Sequence, residues 1–266
     1  MNDYSALHTF VICAYRDNPF LEDCIRSLTG QSARSSIILY SSTPTDKQRE
    51  LAEKHGLLYH VEAGGQGIHF DWNKALDLPD PPYCTLAHQD DIYLPSYAER
   101  MVKGLQANPD ALIGFTDYAD LLPDGSAKRW RAYLNIKRLM LTPFYLKRCI
   151  RSSFFRLSVL RFGDPVCCPS VTYNLKNLDG IRFDSGFSVN LDWMMWINLA
   201  RRSGAFLYLR DCLMYHRISD IMETSAALSD NRRRDEDLKI FKMIYPAPVA
   251  RLIHRLYAFS YRSNRS

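Results

Sequence analysis

The sequence predicts an α/β fold with a mostly parallel central sheet flanked by helices and a helical, basic C-terminal extension. Short apolar runs alternate with helical patterns over roughly the first 120 residues, and this alternation is typical of βαβ units. Hydrophobic residues make up 47% of the chain and charged residues 24%, which is the composition of a globular protein with a substantial core. The C-terminal segment repeats apolar residues at helical spacing with basic residues between them.

Continuous apolar runs of strand length predict buried parallel strands. The first five are Thr9–Ala14, Ser36–Tyr40, Leu57–Val61, Tyr83–Ala87 and Ala111–Phe115. Two further runs, residues 206–209 and 212–215, predict strands in the second half of the chain.

Capping residues mark the helices between these strands. Asn18-Pro19 predicts the start of a helix that Gly30 ends, and Thr43-Pro44 predicts the start of one that Gly56 ends. Further helices are predicted over residues 70–76, 95–106 and 193–203, the last of them capped by Asn190 or Asp192, and in the tail around residues 249–256.

Two adjacent carboxylates, Asp90 and Asp91, follow the apolar run that ends at Ala87. Open α/β sheets bind their ligands at the carboxyl ends of strands, and two hard oxygen donors there suit a divalent cation that also contacts phosphate. The alternative is a pair of solvated turn aspartates in front of a helix that begins at Pro95.

The net charge of +5 hides an uneven distribution. Between Gly125 and Gly163 there are ten Lys or Arg and no acid, and six more basic residues follow Asp237 without an acid. Such zones attract phosphates, nucleic acids or anionic membranes, or they are solvated helix faces. No nucleic-acid reader motif accompanies them, so we expect no nucleic-acid partner.

Other features bound the location of the protein. Seven cysteines without a Cys-x-x-Cys pair indicate a reducing compartment, and the N-terminus lacks the pattern of a secretory signal. No run approaches the roughly 18 apolar residues of a membrane span. We therefore expect a cytoplasmic protein, which the basic tail would bring to the inner face of the cell membrane.

Two phosphate-binding motifs are absent. Gly65-Gln66-Gly67 lacks the third glycine of the dinucleotide fingerprint, and no G-x-x-x-x-G-K-[ST] sequence occurs. These observations argue against a dinucleotide-dependent dehydrogenase and a Walker-type NTPase.

Several segments occur in an order that resembles family 2 glycosyltransferases of the GT-A fold, over roughly residues 8–220. The segments are 10–28, Gly67 with Asn73-Lys-Ala-Leu76, His88-Gln-Asp-Asp91 with Leu94-Pro95, Gly186-Phe187 with 192–200, and His216-Arg217 with Ser219. The resemblance implies a catalytic domain over residues 1–220, with a nucleotide-sugar half (1–125) and an acceptor half (126–220). Residues 221–266 form the helical extension.

The resemblance also implies a role for each matched position. Donor contacts are expected from Ala14, Tyr15, Arg16, Asp17, Ser41, Gly67, Asn73, Gln89 and Asp90. Asp90, Asp91 and His216 would bind Mn²⁺ or Mg²⁺, Asp192 would be the general base, and Trp193 and Arg217 would contact the acceptor. Three positions depart from the family pattern: His88 replaces the first acid of Asp-x-Asp-Asp, Ser41-Ser42 replace paired aspartates, and Leu191 replaces a glutamate.

The expected activity is inverting, metal-assisted transfer of a sugar from a nucleotide diphosphate sugar to a glycan or lipid-linked acceptor in surface polysaccharide synthesis. The alternatives are a sugar nucleotidyltransferase and a degenerate, non-catalytic nucleotide- or glycan-binding module. Structural roles also stay open for Asp192 as a helix cap, His216 as a buried hydrogen-bonded side chain and Trp193 as a core residue. The tail helix could bind a membrane interface or pack on the catalytic domain.

Overall fold

The computed structural model describes residues 2–64, 67–218 and 220–263, without the side chains of residues 220–231 and 258–263. The strands are β1 Asn2–Asp3, β2 His8–Ala14, β3 Ala33–Arg34, β4 Ser36–Ser41, β5 Leu58–Val61, β6 Tyr83–His88, β7 Ile92–Tyr93, β8 Ala111–Leu121, β9 Ala127–Lys128, β10 Cys149–Ile150, β11 Val171–Asn174 and β12 Ala205–Arg217. The helices are α1 Leu21–Thr29, α2 Asp46–His55, α3 Ile68–Asp77, α4 Tyr97–Gln106, α5 Ala132–Met140, α6 Thr142–Leu146, α7 Ser153–Leu160, α8 Leu191–Ala200, α9 Asp220–Ile244 and α10 Ala247–Ser263.

One mixed sheet organises the fold. Its strands run in the order β10-β12-β8-β11-β6-β2-β4-β5, while β7 pairs with β12 and β9 with β8. The strands β6, β2, β4 and β5 are parallel to one another, and β12 is parallel to β8. Strand β11 was not predicted from the sequence, and it lies antiparallel between β6 and β8.

The sheet is buried on both faces. Neighbouring residues of β2 belong to different clusters, with Val11 in one and Phe10 and Ile12 in the other, because successive strand residues point to opposite faces. The cluster around Val11 includes residues of α3 and α8, and the other includes residues of α1 and α4.

Three element boundaries differ from the prediction. The first helix starts at Leu21, because the Asn18 side chain accepts a hydrogen bond from Phe20 N (2.8 Å) ahead of the helix. The strand predicted to end at Phe115 continues to Leu121, and the two runs at 206–209 and 212–215 form the single strand β12. That strand is interrupted only by register shifts along β8.

The C-terminal helices pack on the same core as α8. Ile240, Phe241 and Ala250 are fully buried in the cluster that contains Trp193 and Trp196. No helix in the described ranges has both the length and the apolar character needed to cross a bilayer.

Candidate active site

The carboxyl ends of four parallel strands meet at one edge of the sheet. Cys13 of β2 is in register with His88 of β6, and Ala14 is in register with Ser41 of β4. Ser41 is in turn in register with Val61 of β5. Since α/β sheets bind ligands outside this edge, the loops that follow these strands form the candidate donor site.

The loop after β6 is fastened to the loop after β2. Gln89 accepts a hydrogen bond from Tyr15 N (3.0 Å) and donates one to Tyr15 O (3.2 Å). The Tyr15 ring is 51% exposed, and the guanidinium carbon of Arg16 lies 5.0 Å from its centroid. The predicted donor residues Tyr15, Arg16 and Gln89 are therefore neighbours on an accessible rim.

Asp91 is fully buried and joins this loop to the end of β12. Pairing of Tyr215 with Ile92 brings the neighbouring His216 beside Asp91. Asp91 Oδ1 accepts hydrogen bonds from His216 Nδ1 (3.0 Å) and from Arg217 N (2.9 Å). Burial lowers the pKa of His216, but the carboxylates of Asp91, Asp90 and Asp120 together outweigh burial and the pKa is raised. Ser219, which follows in the predicted motif, lies outside the described residues.

Asp90 lies beside this pair and is half-buried. Burial, followed by the Asp91 carboxylate, raises the pKa of Asp90 to about 6. Arg217 Nε donates to the Asp90 main-chain oxygen (2.8 Å), and its guanidinium carbon lies 4.0 Å from the centroid of Phe20. Arg217, predicted to contact the acceptor, is thus held against the acidic loop.

The residues around Asp90 fit a divalent cation that is bound together with phosphate oxygens. No three His, Cys, Asp or Glu side chains among the described residues form a ready metal cluster. However, Asp91 Oδ2 is buried and accepts no hydrogen bond from any described residue. Because His216 binds Asp91 through Nδ1, its other ring nitrogen, Nε2, is left to bind a cation. Carboxylate oxygens with an oriented imidazole suit Mn²⁺ or Mg²⁺, whose other positions are commonly filled by phosphate and water.

The loop after β2 is fixed by its own hydrogen bonds. Arg16 has a left-handed backbone (φ 53°), and its N–H donates to Thr43 Oγ1 (2.6 Å) while its carbonyl accepts from Gln48 Nε2 (2.8 Å). Asp17 accepts from Thr45 Oγ1 (2.7 Å). A left-handed non-glycine residue is strained and persists because the surrounding structure holds it, as at many ligand sites.

Three other residues predicted to contact the sugar donor have structural roles in the backbone. Ser41 is buried and accepts a hydrogen bond from Thr43 N (3.1 Å). Gly67 precedes α3 with φ 104°, a conformation open to glycine. Asn73 donates to Phe183 O (2.9 Å) and accepts from Phe183 N (2.7 Å), so its amide ties α3 to a distant loop. Their predicted contacts with the donor stay predictions.

Asp71 is a site residue that the sequence patterns did not reveal. It accepts hydrogen bonds from Ser42 Oγ (2.8 Å) and Tyr40 OH (3.4 Å) at the end of β4. Burial, and then the Asp71 carboxylate, raise the pKa of Cys13 in β2. Asp71 of α3 therefore places a carboxylate at the ends of β2 and β4. It lies next to Ser41-Ser42, the two serines that replace the paired aspartates of the family pattern.

Asp192 lies in the first turn of α8, inside the helix and not at its cap. Its Oδ1 accepts from Trp193 N (2.8 Å), and burial raises its pKa. Trp193 is 1% exposed and donates through Nε1 to Leu160 O (3.0 Å). The Trp193 ring therefore lies in the core, and its predicted contact with the acceptor stays a prediction.

Asp91 and Asp192 both influence a buried cysteine, Cys167. Burial raises the pKa of Cys167, Lys137 opposes that rise, and the carboxylates of Asp91 and Asp192 add to it. The pKa of the neighbouring Cys168 thiol is raised by burial and by Asp192. Because one thiol responds to both carboxylates, Asp91 and Asp192 belong to the same region of the molecule.

Helix α9 holds the segment that leads into α8. Glu236 accepts hydrogen bonds from Ser188 N, Ser188 Oγ, Val189 N and Asn190 N, at 2.8 to 2.9 Å. Asn190 Nδ2 donates to Asp237 Oδ1 (2.8 Å). The Asn190 side chain does not cap α8, and the Asn190 N–H at the cap position is instead satisfied by Glu236. No local sequence signal marks this contact.

Several arginines of the basic segment 125–163 are engaged within the protein. Asp117 of β8 binds both Arg129 (2.8 Å) and Arg138 (3.1 Å), and Asp120 binds Arg131 (2.7 Å). Outside this cluster, Arg151 pairs with Asp110 and Arg156 donates to the Arg202 carbonyl. Acidic side chains and main-chain oxygens engage these five arginines, and attraction of phosphate by the zone stays a prediction.

Comparisons with known proteins agree with this geometry. The model for Glycosyl transferase family 2 matches residues 9–176. The crystal structure of S. aureus TarS 1-349 superposes with a TM-score of 0.61 at 13% identity, covering 79% of this chain and 60% of that one. The structures of S. aureus TarS 1-349 in complex with UDP-GlcNAc and with UDP both give TM-scores of 0.58 at 13% identity. The match to the UDP-GlcNAc complex covers 80% of this chain and 59% of the TarS chain. The match to the UDP complex covers 80% of this chain and 61% of the TarS chain.

This chain thus spans about three fifths of the TarS 1-349 structures that it matches. No curated protein sequence matches it. The expected α/β fold with helices after the sheet is confirmed, and so is the family resemblance drawn from the ordered motifs. The match spans most of the strands whose ends form the site, and the chain belongs to glycosyl transferase family 2.

Proposed function

We propose that this protein is an inverting glycosyltransferase that moves a sugar from a nucleoside diphosphate sugar to a hydroxyl of a glycan or lipid-linked acceptor. Surface polysaccharide synthesis is the process to which we assign it. The observation that carries the proposal is that Asp91, next to Asp90 at the sheet edge, and Asp192 at the start of α8 both act on the buried thiol of Cys167. S. aureus TarS, of the same fold, was solved in complex with UDP-GlcNAc and UDP, which supports a nucleoside diphosphate donor.

Asp192 would act as the general base. The acceptor oxygen attacks the anomeric carbon, the bond from that carbon to the diphosphate oxygen breaks, and the acceptor proton passes to the Asp192 carboxylate. A single displacement of this kind inverts the anomeric configuration. The raised pKa of Asp192 makes this carboxylate a stronger base than a solvated one.

Asp90, Asp91 and His216 would hold the divalent cation. When bound, Mn²⁺ or Mg²⁺ would neutralise the negative charge of the departing diphosphate as a Lewis acid. Asp91 would orient His216 by accepting from Nδ1, which directs Nε2 towards the ligand. Tyr15, exposed and held at both main-chain atoms by Gln89, offers a ring for the nucleoside.

Two substitutions separate binding from catalysis. Asp192→Asn should abolish sugar transfer while nucleotide affinity stays within about twofold, because the base contacts the acceptor and not the nucleotide. Asp90→Ala should weaken binding of UDP or another nucleoside diphosphate in Mn²⁺ but not in EDTA, measured by titration calorimetry. Asp184→Asn, an exposed loop carboxylate, is the matched control. Normal transfer by Asp192→Asn would remove Asp192 as the base.

Helix α10 supports an acceptor at a membrane surface. Its inner side contributes Ala250, Ile253 and Tyr257 to the core, as expected for a packed helix. A second apolar stripe faces outward: Val249, Leu252 and Leu256 are 43%, 60% and 67% exposed. Two exposed arginines, Arg251 and Arg255, flank it. An outward apolar stripe with basic neighbours is suited to an anionic interface, where a lipid-diphosphate-linked glycan would be found.

Flotation with vesicles of anionic lipid tests this contact. Leu252→Glu with Leu256→Glu should remove the protein from the floating fraction, because two charges replace the apolar contact. Leu58→Glu, at an equally exposed position on β5, is the control and should float as the wild type does. Equal flotation of all three proteins would refute a membrane role for α10.

A further inference from the structure

A second carboxylate, Asp164, lies beside the candidate base. Helices α7 and α8 are antiparallel neighbours, since Ser153 at the start of α7 donates to Ala200 O at the end of α8 (2.7 Å). At the opposite end, Trp193 Nε1 donates to Leu160 O (3.0 Å). The loop that leaves α7 is therefore held next to the first turn of α8, where Asp192 is located.

Asp164 and Asp192 are in side-chain hydrogen-bond contact. Each carboxyl also accepts one main-chain N–H: Asp164 Oδ1 from Val166 N (2.9 Å) and Asp192 Oδ1 from Trp193 N (2.8 Å). A hydrogen bond between two carboxyl groups requires a proton on one of them, because neither carboxylate alone can donate. Two carboxylates in contact also repel each other when both are ionised.

The charged surroundings favour one negative charge on the pair. Lys137 of α5 faces both carboxyls, and Arg233 of α9 faces Asp192. The thiols of Cys167 and Cys168 next to the pair have pKa values raised by burial and are neutral. Burial, followed by the charge of Asp192, raises the pKa of Asp164 well above its usual range.

The loop that carries Asp164 is fixed by the C-terminal helices. Gly163 has φ 150°, and a Cβ on it would lie 2.9 Å from Tyr257 Oη of α10. Tyr245 donates to Arg161 O at 3.5 Å. The position of Asp164 relative to Asp192 thus depends on close packing against α9 and α10.

We propose that Asp164 is a positioning residue that keeps a proton and donates it in a hydrogen bond to Asp192, so that Asp192 stays ionised and oriented. This rests on the proposed role of Asp192 as the base. During transfer the acceptor O–H bond breaks, the new bond to the anomeric carbon forms and the nucleoside diphosphate leaves. Asp192 takes the proton, the pair then holds two protons, and one returns to water before the next turnover.

Infrared difference spectroscopy tests the shared proton without any substrate. At pH 8, where Asp90 with a pKa of about 6 is ionised, the wild type should show the carbonyl stretch of a protonated carboxylic acid. Asp164→Asn should lose this band, whereas the control Asp184→Asn should keep it. Absence of the band in the wild type overturns the proposal, and so does its persistence in Asp164→Asn.

The pH profile of transfer supplies the second readout. Asp164→Asn keeps a hydrogen-bond donor, so its kcat should stay within about tenfold of the wild type, and it should lack the loss of activity at high pH that ionisation of Asp164 causes. Asp164→Ala should lower kcat by about 10²-fold with little change in KM, the scale of a misplaced catalytic group. An Asp164→Ala variant with wild-type kcat and profile would refute the positioning role. If instead the band behaves as expected but Asp192→Asn transfers sugar normally, the pair stands and the base assignment fails.

Discussion

Replacing Glu236 by alanine should destabilise the protein and slow transfer, although the residue lies on α9 and has no predicted site role. Its carboxylate accepts four hydrogen bonds from Ser188, Val189 and Asn190, directly ahead of the helix that carries Asp192. These bonds satisfy three main-chain N–H groups and place a negative charge at the N-terminal end of α8.

The expected size follows from these contacts. Loss of a helix N-cap costs about 0.5–2 kcal/mol, and a buried donor left without an acceptor costs about 1–3 kcal/mol. Asn190 is buried, whereas Ser188 is exposed and water can replace Glu236 there. We therefore expect Glu236→Ala to lower the free energy of unfolding by about 2–4 kcal/mol, a large part of the ~5–15 kcal/mol typical of a domain. Glu236→Gln keeps one acceptor oxygen and should cost about half as much.

Urea denaturation at pH 7 measures this loss, with Asp235→Ala as the control because Asp235 is an exposed acid on the same helix. Burial raises the pKa of Glu236, but the bonds from Asn190, Ser188 and Val189 prevail and lower it. Its contribution is therefore present above the unfolded pKa of ~4.3 and lost as pH falls through the lower folded value. The wild type and Glu236→Ala should converge in stability at acidic pH. A midpoint for Glu236→Ala equal to that of Asp235→Ala at pH 7 would refute the capping argument.

Three further outcomes are expected. Gly163→Ala should lower the free energy of unfolding by about 1–3 kcal/mol, since its Cβ would meet Tyr257, while Gly180→Ala (φ 72°, no atom within 4 Å) should cost only the ~1 kcal/mol of backbone strain, both measured in urea. Burial lowers the pKa of His8 to about 3, so between pH ~6.5 and 3 the unfolded chain binds a proton that the folded protein does not. The free energy of unfolding should therefore decrease as the pH is lowered through that range, and His8→Gln should make this decrease smaller. Asp71→Asn should weaken nucleoside diphosphate binding by about tenfold in calorimetry if its carboxylate reads the nucleoside, and unchanged affinity would exclude that role.

The strand ends of the site could be predicted because they depend on local pattern. An apolar run that stops at a polar residue fixes where a buried strand ends, and parallel strands end at the same edge. The sequence pattern alone therefore places Ala14, Ser41 and Asp90 in one region of the fold. Strand β11 has no such signal, because four residues that pair antiparallel on both sides carry no distinct periodicity.

One incorrect strand end hid a buried ionic cluster. The strand over residues 111–115 was predicted to stop at Phe115, so Asp117 and Asp120 were not expected in the core, although they are 4% and 0% exposed. A buried carboxylate needs a charged partner, since desolvation is otherwise too costly. Arg129, Arg131 and Arg138 supply the partners, so part of the basic segment pairs within the protein.

The surroundings of Asp192 could not be predicted, because they come from segments far apart in the chain. The region receives Lys137 from α5, Asp164 from the loop that follows α7, and Glu236 from α9. No spacing rule in the sequence connects these three residues. The predicted C-terminal helical extension also buries Ile240 and Phe241 beside Trp193. We therefore propose that residues 221–266 complete the catalytic unit, because the orientation of Asp192 depends on a helix that lies beyond the family match at residue 176.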